Sequence, residues 1–320
     1  MKSSERQLVN RLRRRALRTV PESRSGLCLE QGIGDDCAIF SGSRDADILV
    51  TTDLFLEGIH FRRSWQPAAS AGHKVLARGL SDIAAMGGTP RFAFLSLALP
   101  RRTQQKWVDD FFRGLFRLAD RCGVVLAGGD TSASDAGILA DIMVIGEVPR
   151  GRAVLRSGAR PGDTVWVAGQ LGGAARALEW LRQGRRVSQG SAGARRFFAP
   201  EPRLETGRVL RERGIATAMM DVSDGLSLDL DRLCKASGVG ARIEEEKIPR
   251  ARGTPLAMAL HGGEDFELLF TVPARLSRRV PAHLGGVPLT CIGEITKERR
   301  LRIVRGGKPS PLPLLGFQHF

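Results

Sequence analysis

Short groups of carboxylates and hydroxyls recur beside glycines and apolar runs in this chain. The first lies in residues 32–36 (GIGDD), and the second is Thr51-Thr52-Asp53, directly after the apolar run 48–50. Carboxylate and hydroxyl oxygens, with no Cys or His clustered nearby, are ligands that Mg²⁺ and Mn²⁺ prefer. Taken alone, the two groups fit a turn and an ordinary strand end as well as they fit a metal site.

Further acids follow the same pattern of glycine, acid and apolar run. They are Asp82 before a small-residue run, Asp130 after Gly128-Gly129, Asp221 and Asp224 in DVSDG, and Glu264 after Gly262-Gly263. Each has an ordinary interpretation as well: Asp82 could form a surface ion pair with Arg78, and Asp221 or Ser223 could cap a helix. The repetition, rather than any single acid, points to a cation-assisted site.

Elements of the first half must bring these acids together. The run 48–50 predicts a buried strand that delivers Thr51-Thr52-Asp53 to its exposed C-terminal tip. Apolar spacing predicts a helix from a Ser70 cap to about Met86, on which Lys74, Arg78 and Asp82 stack along one face. Further strands are predicted at 92–99, 124–131 and 138–148, with a helix from Thr103 closed by Gly123.

The Pro-, Gly- and Arg-rich stretch 149–162 predicts a domain boundary, giving domains of 1–150 and 151–320. The second half again alternates strands (164–169, 216–220 and 268–271) with helices, one of them beginning beside Asp221 and Asp224. The Gly-, Ser- and Arg-rich stretch 184–196 predicts a mobile surface loop. The predicted fold class is therefore α/β, in two domains.

Composition narrows the classes of partner. The 320 residues carry a net charge of +15, but only seven of the 49 basic residues are Lys, and no aromatic residues interleave with the Arg runs. We therefore do not predict nucleic-acid binding, whereas a basic surface around an acidic site would attract small polyanions. The five Cys are scattered along the sequence, which predicts a reducing compartment. The sequence shows no membrane span and no secretory signal, so we predict a cytoplasmic protein without a membrane partner.

The ordered motifs GIGDD, TTD followed by His60, SDIAAMG, GGD, DVSDG and GGEDFELLF closely resemble the thiamine-monophosphate kinase family. That family lies in the superfamily of aminoimidazole ribonucleotide synthetase-like ATP-dependent enzymes, and the resemblance extends from Gly32 to Phe320. It implies an N-terminal α/β domain whose sheet joins its partner's in a homodimer, and a C-terminal α/β domain. The active site would lie between the two domains.

The resemblance also implies roles for individual residues. Its Mg²⁺ ligands fall on Asp36, Thr51, Thr52, Asp53, Asp82, Asp130, Asp221 and Asp224, of which Asp53, Asp130 and Asp224 would be catalytic. Its nucleotide contacts fall on Gly129, Asp130, Arg156 and Ser223. The thiamine end of the substrate would meet His60, Glu264 and Phe317.

The implied reaction is transfer of the γ-phosphoryl group of ATP to thiamine monophosphate. The acceptor phosphate is already anionic near neutral pH, so no strong general base is needed, and several Mg²⁺ ions would neutralise and align the two polyanions. That chemistry accounts for a sequence that has many carboxylates, one suitably placed His and no nucleophile dyad. It assigns His60 to substrate contact and Arg156 to a nucleotide phosphate.

Two departures and several alternatives accompany this interpretation. The chain has no Tyr, and it carries Phe317 and Arg121 where relatives often have Tyr.

The pairing of GGEDFELLF with a terminal GFQHF favours the thiamine kinase over aminoimidazole ribonucleotide synthetase. Selenophosphate synthetase would need a reactive Cys in a glycine-rich segment, and the carbamoyl-dehydrating maturation protein would end in Cys. Two further hypotheses come from other functional classes: a metal-dependent phosphatase and a non-catalytic basic binding protein.

Overall fold

The first half of the chain builds one six-stranded sheet. The computed structural model describes residues 7, 10, 28–41, 44–188, 190 and 192–318, with the backbone alone at Ala192. The strands run in the order β1-β2-β3-β6-β4-β5, with β4 and β5 parallel and the other neighbours antiparallel. Their bounds are β1 Cys28–Gln31, β2 Ala38–Ser41, β3 Ala46–Leu56, β4 Thr89–Leu99, β5 Val125–Ala133 and β6 Leu139–Pro149.

Two long helices cover one face of this sheet. Helix α1 spans Ala68–Ala85, and α2 spans Gln105–Cys122. Alternating residues of the strands, such as Leu49 and Phe55 of β3, are fully buried beneath the helices. The helices approach closely because Gly72 and Gly114 have no side chains: a Cβ on either would lie 1.8 Å from a backbone oxygen of the other helix.

The second half builds a larger sheet in the order β14-β13-β9-β12-β7-β10-β8, with β11 paired to β12. Its strands are β7 Thr164–Ala168, β8 Ala218–Val222, β9 Gly240–Glu244, β10 Glu267–Val272, β11 His283–Leu284, β12 Val287–Thr296, β13 Leu301–Arg305 and β14 Lys308–Pro311. Its helices are α3 Gly173–Arg182, α4 Ala192–Phe198, α5 Leu204–Glu212, α6 Leu226–Ser237, α7 Leu256–His261 and α8 Ala274–Ser277. A 3-10 turn spans Glu245–Lys247.

Helix α1 connects the two halves. Its C-terminal residues Ala84 and Ala85 belong to a buried cluster that also contains Trp166, Met219 and Phe270 of the second sheet. Polar residues on the other side of the same helix therefore lie where the two halves meet. The predicted mixed α/β class is confirmed by this architecture.

Three local expectations were wrong. Strand β3 continues to Leu56, so Thr51-Thr52-Asp53 lies inside the strand rather than at its tip, because the ladder with β6 persists over that length. Ser70 lies within α1, which starts after Pro67, and its hydroxyl donates to the carbonyl of Phe198 instead of capping the helix.

The third error concerns the stretch 184–196, predicted to be a loop throughout. Helix α4 begins inside it at Ala192, and its last residues Phe197 and Phe198 are buried. Those two rings pack with Ala174 and Ala177 of α3, and this burial stabilises a helix in an Arg-rich segment. Among the described residues, no helix is long and apolar enough to cross a membrane.

Candidate active site

Three carboxylates from distant parts of the chain converge at the junction of the two halves. Oxygen atoms of Asp36, Asp82 and Asp221 lie within 4.8 Å of one another. Asp36 follows the glycine turn before β2, Asp82 lies in the last turn of α1, and Asp221 lies in β8. Such a cluster of hard oxygens has the composition of a divalent-cation site.

Hydrogen bonds from neighbouring side chains orient these acids. The Thr51 hydroxyl donates to Asp82 at 2.5 Å, and the Ser81 hydroxyl donates to Asp221 at 2.7 Å. The Arg156 guanidinium donates to both oxygens of Asp36, at 3.0 and 2.8 Å. Its planar fork is thus engaged by the acid cluster, and a contact to a nucleotide phosphate stays a prediction.

Electrostatics show that the one guanidinium of Arg156 does not balance the three acids of the cluster. Burial, followed by the neighbouring carboxylates, raises the pKa of Asp82 and of Asp221. Burial and the adjacent Asp36 raise the pKa of Asp35 to about 7. Carboxylates that repel one another in a buried position are stabilised as anions by a bound cation. The donor set therefore fits Mg²⁺.

A second charged group lies beside the cluster. Arg78 donates to Asp53 at 2.5 Å, and Lys74 donates to Glu264 at 2.7 Å. Another nitrogen of Arg78 lies 3.5 Å from Glu264, so that this arginine links the two acids. The predicted alignment of Lys74, Arg78 and Asp82 on one face of α1 is present, but Arg78 pairs with Asp53 in place of Asp82.

Two loops of the second half pack backbone to backbone to present Ser223, Asp224 and Glu264. The Glu264 N–H donates to the Ser223 carbonyl at 2.7 Å. Glycine is required at this contact: a Cβ on Gly263 would lie 2.6 Å from that same oxygen, and Gly225 has φ +117°. These glycines explain why both motifs carry Gly beside their acids.

The start of α6 differs from the predicted cap. Gly225 is the N-cap residue, and no side chain caps the helix there, so neither Asp221 nor Ser223 has that role. Instead, the Asp229 carboxylate inside the helix accepts the N–H groups of Asp224 and Gly225 at 3.1 and 3.0 Å. Asp221 belongs to β8 and is thereby available to the acid cluster.

Aromatic residues form the other end of the site. The rings of His60 and Phe317 lie 6.3 Å apart between centroids, and Nδ1 of His60 accepts the Leu56 N–H at 3.0 Å. The C-terminal segment is held in place because the Ser227 hydroxyl donates to the Leu315 carbonyl, and the Phe317 N–H donates to the Asp224 carbonyl. Phe317 thereby stays close to the charged loops.

A cavity of about 610 Å³ lies at the junction of the two halves. It joins the acidic and aromatic ends, because eight of the predicted site residues line it: Asp53, His60, Asp82, Asp221, Ser223, Asp224, Glu264 and Phe317. Leu178 and Met258, from α3 and α7, add apolar wall. A ligand with a ring at one end and a phosphate at the other fits this lining.

Six predicted residues do not line this cavity: Asp36, Thr51 and Arg156 belong to or contact the acid cluster beside it, and three others lie away from the site. Thr52 is exposed on the opposite face of the sheet, since side chains alternate along β3. Gly129 and Asp130 are exposed on the edge strand β5. Asp53 in β3 and Gly129 in β5 lie in the same row across the sheet. They are three strand spacings apart, which corresponds to roughly 14 Å.

Sequence reasoning gave no role to several residues of the site. Lys74 and Arg78 were recognised only as members of a helix face, although their four-residue spacing before Asp82 was a usable signal. The sequence indicates Asp35 only as one of the Asp pair in GIGDD, without a role of its own, and does not indicate Ser81. In the structure Asp35 accepts from the Arg156 N–H, and Ser81 donates to the acid cluster. Nothing in the sequence shows that these residues meet Glu264 or Asp221, which lie far along the chain.

Comparison with known proteins first defines the class. The protein-family model described as AIR synthase related protein, N-terminal domain, matches residues 34–148. The model described as AIR synthase related protein, C-terminal domain, matches residues 160–306. Both halves of the chain thus belong to the AIR synthase related proteins.

Individual relatives define the family more closely. The thiamine-monophosphate kinase of Salmonella typhimurium is 38% identical over 310 residues, covering 92% of this chain and 94% of its own length. The thiamine-monophosphate kinase of Bacillus subtilis is 33% identical over 309 residues, covering 91% and 94%. The chain belongs to the thiamine-monophosphate kinase family, and the predicted family is confirmed.

Solved structures agree with this assignment. A structure described as AaThiL complexed with AMPPCP and TMP has a TM-score of 0.86 and 31% identity, covering 99% of this chain and 97% of that one. The thiamine-monophosphate kinase from Stenotrophomonas maltophilia K279a has a TM-score of 0.76 and 34% identity, covering 95% and 96%. Both similarities extend over the two halves of the chain.

Proposed function

We propose that this protein is an ATP-dependent kinase that transfers the γ-phosphoryl group of ATP to the phosphate of thiamine monophosphate, forming thiamine diphosphate. The observation that carries the proposal is a cavity that has an acidic end and an aromatic end. A solved structure whose similarity covers 99% of this chain is described as complexed with AMPPCP and TMP. Under this proposal, the first stands for the nucleotide and the second for the phosphate acceptor. Both ligand chemistries match the two ends of the cavity.

The chain's own residues would bind and orient the two substrates. Glu264, His60 and Phe317 would contact the ring portion of thiamine monophosphate. Asp53 and Asp224 at the cavity, with Ser223 and Arg156 nearby, would form the phosphate end. No residue needs to remove a proton from the acceptor, because a phosphate monoester is already anionic near neutral pH.

Asp36, Asp82 and Asp221 would hold Mg²⁺, with Asp53 and Asp224 as further ligands. When bound, the ions neutralise the phosphate groups and stabilise the charge that spreads over the transferred group. Thr51 orients Asp82, and Ser81 orients Asp221, so their carboxylates are fixed before any ligand arrives. Arg156 keeps both oxygens of Asp36 in a defined plane.

We further propose a homodimer formed by the uncovered face of the first sheet. Helices among the described residues cover only one face, and the other carries half-buried Ile48, Val50, Met143 and Ile145 with exposed Leu54 and Leu139. An apolar face of this extent is typical of an interface. The exposed strand β5, with Gly129 and Asp130, would lie at the margin of the paired sheets and complete the nucleotide site.

The dimer has a direct test. Ile145→Glu should convert a dimer into a monomer in light scattering, because a charge would be buried at the centre of the interface. Leu314→Glu, a similar change at an exposed residue of the second half, is the matched control. A wild-type mass of one chain, about 35 kDa, would contradict the homodimer.

The division into domains of 1–150 and 151–320 and the cytoplasmic location are also proposals. The two sheets are built from 28–149 and 164–311, which supports a division between them. A cytoplasmic enzyme would have ATP and a phosphorylated vitamin as accessible substrates.

The function is tested by incubating the purified full-length chain with ATP, Mg²⁺ and thiamine monophosphate. Chromatography should show thiamine diphosphate and ADP in equal amounts, and EDTA or the variant Asp221→Asn should abolish both products. Consumption of ATP without thiamine diphosphate would favour another acceptor, as in aminoimidazole ribonucleotide synthetase. Phosphate release without ATP would favour a metal-dependent phosphatase.

A further inference from the structure

Lys74 is a charged residue in an unusual place. Its side chain is fully buried within α1, and its ammonium lies 4.5 Å from the centre of the Phe197 ring. Lysine is almost never fully buried unless it is paired, because removing an ammonium from water is costly. The pair here is the 2.7 Å hydrogen bond to Oε2 of Glu264.

The partner carboxylate is itself held in a specific orientation. Glu264 has φ +66°, in the left-handed region that residues with a side chain rarely adopt, and it lines the cavity. Burial would raise the pKa of its carboxyl, but the Lys74 ammonium and the Arg78 guanidinium bring that pKa below the usual range. Glu264 is therefore an anion in the folded protein.

The two oxygens of this carboxylate differ. Oε2 accepts from Lys74, whereas Oε1 is buried and has no hydrogen-bond donor among the described residues. Arg78 lies 3.5 Å from Oε1, an ion-pair distance that does not form a hydrogen bond. A buried acceptor left in this state costs about 1–3 kcal/mol, so a ligand that donates to Oε1 would bind favourably.

The charges around Glu264 indicate what kind of donor fits. Lys74 and Arg78 balance Glu264 and Asp53, so the group of four carries no net charge. A neutral N–H donor suits such a site better than a third cation, which would face the two positive groups already present. In thiamine monophosphate the neutral donor is the exocyclic amine of the pyrimidine ring.

We propose that Lys74 is a positioning residue of the substrate pocket: it holds Oε2 of Glu264 so that Oε1 accepts a hydrogen bond from the ring amine of the substrate. This inference rests on the proposed function. It assigns a recognition role to a lysine that does not itself reach the cavity lining. It also makes the amine a point at which the enzyme distinguishes substrates, since a site built to bond a donor rejects analogues without it.

The test compares thiamine monophosphate with its 4′-deamino analogue in steady-state kinetics of the full-length wild type and of Lys74→Met. For thiamine monophosphate, the substitution should raise KM about 10-fold or more, with KM for ATP changed less than about twofold. For the analogue, kcat/KM should be low in the wild type and nearly unchanged by the substitution. Lys106→Met, at a lysine whose side chain is 80% exposed, is the matched control.

A second variant keeps the test valid if Lys74→Met folds poorly. The double variant Lys74→Met with Glu264→Gln removes both charges of the pair, which is less destabilising than leaving one charge buried. It should be no worse for thiamine monophosphate than Glu264→Gln alone, because Lys74 acts through Glu264.

Three results would overturn the proposal. An equal loss with both substrates would show that Lys74 has only a structural role. Additive effects of the two substitutions would show that it does not act through Glu264. A wild type that fails to phosphorylate thiamine monophosphate would remove the proposed function as well, so the two failures can be told apart.

Discussion

Asp53 lies between the acid cluster and the ion pairs that Lys74 and Arg78 form. It accepts from Arg78 at 2.5 Å, lines the cavity and lies on the same face of β3 as Thr51. Burial raises its pKa, although Arg78 opposes that shift, so the anion depends on its cationic neighbours. A neutral amide at this position would leave Arg78 without its nearer carboxylate partner and the phosphate end with one charge fewer.

We therefore expect Asp53→Asn to lower kcat for phosphoryl transfer about 100-fold or more. The fold should remain intact, because the side chain lies at the cavity rather than in a core. ADP release reports the activity, and circular dichroism melting reports the fold. Asp120→Asn, at an exposed residue of α2, should leave both unchanged. Near wild-type turnover in Asp53→Asn would contradict the assignment.

Phe317 has a different role at the same scale. The residue is 43% exposed and the centre of its ring lies 6.3 Å from that of the His60 ring, as expected of a surface that stacks on a substrate ring. Phe317→Ala should raise KM for thiamine monophosphate several-fold and leave kcat and KM for ATP nearly unchanged. Phe317→Leu, which keeps apolar volume, should have a smaller effect. A loss in kcat alone would argue against stacking.

At the scale of elements, helix α1 has the central position. It packs on the first sheet and on α2, its C-terminal end enters the buried cluster of the second sheet, and it carries Lys74, Arg78 and Asp82. Small shifts of this helix would move all three charged residues relative to the second half. The contact that fixes its position is the close approach to α2 at Gly72 and Gly114.

Gly114→Ala should therefore destabilise the fold by about 1–3 kcal/mol, because its Cβ would lie 1.8 Å from the Ala69 carbonyl oxygen. Denaturant unfolding measures the change in the free energy of unfolding. Gly193→Ala is the control: it lies in helix α4 with open space around it, and should be neutral or slightly stabilising. Equal stability of wild type and Gly114→Ala would show that the helices can separate at no cost.

At the scale of the whole molecule, buried acids make stability depend on pH. Burial raises the pKa of Asp35 and of Asp265 from 3.8 to about 7. Between about pH 4 and 7 the folded chain then binds more protons than the unfolded chain. The free energy of unfolding of the metal-free protein should therefore fall as the pH rises through this range.

Mg²⁺ should counteract part of this loss. The cation would neutralise Asp36, Asp82 and Asp221 only when they are ionised, so the rise in melting temperature should be larger at pH 8 than at pH 5. Asp265 accepts backbone N–H groups of Gly172 and Ala174, and its contribution should not respond to Mg²⁺. NaCl of equal ionic strength is the control. A melting temperature that does not respond to Mg²⁺ at pH 8 would contradict the metal site.

The sequence by itself determined the family, the α/β class and most of the acids that line the cavity. These features are local: glycine beside acid, apolar runs of strand length, and apolar spacing of helical period each leave a pattern within a few residues. The order of the six motifs identified the family, because a set of motifs along a chain is far more specific than any one of them.

Only the tertiary structure decided which side chains meet. Lys74 and Glu264 are separated by 190 residues, and Ser81 and Asp221 by 140, so no local pattern could pair them. The alternation of β3 turned Thr52 away from the site, and the strand order placed Asp130 at a distant edge. Contacts of this kind depend on how whole elements pack, which is settled by burial of their apolar faces rather than by neighbouring residues.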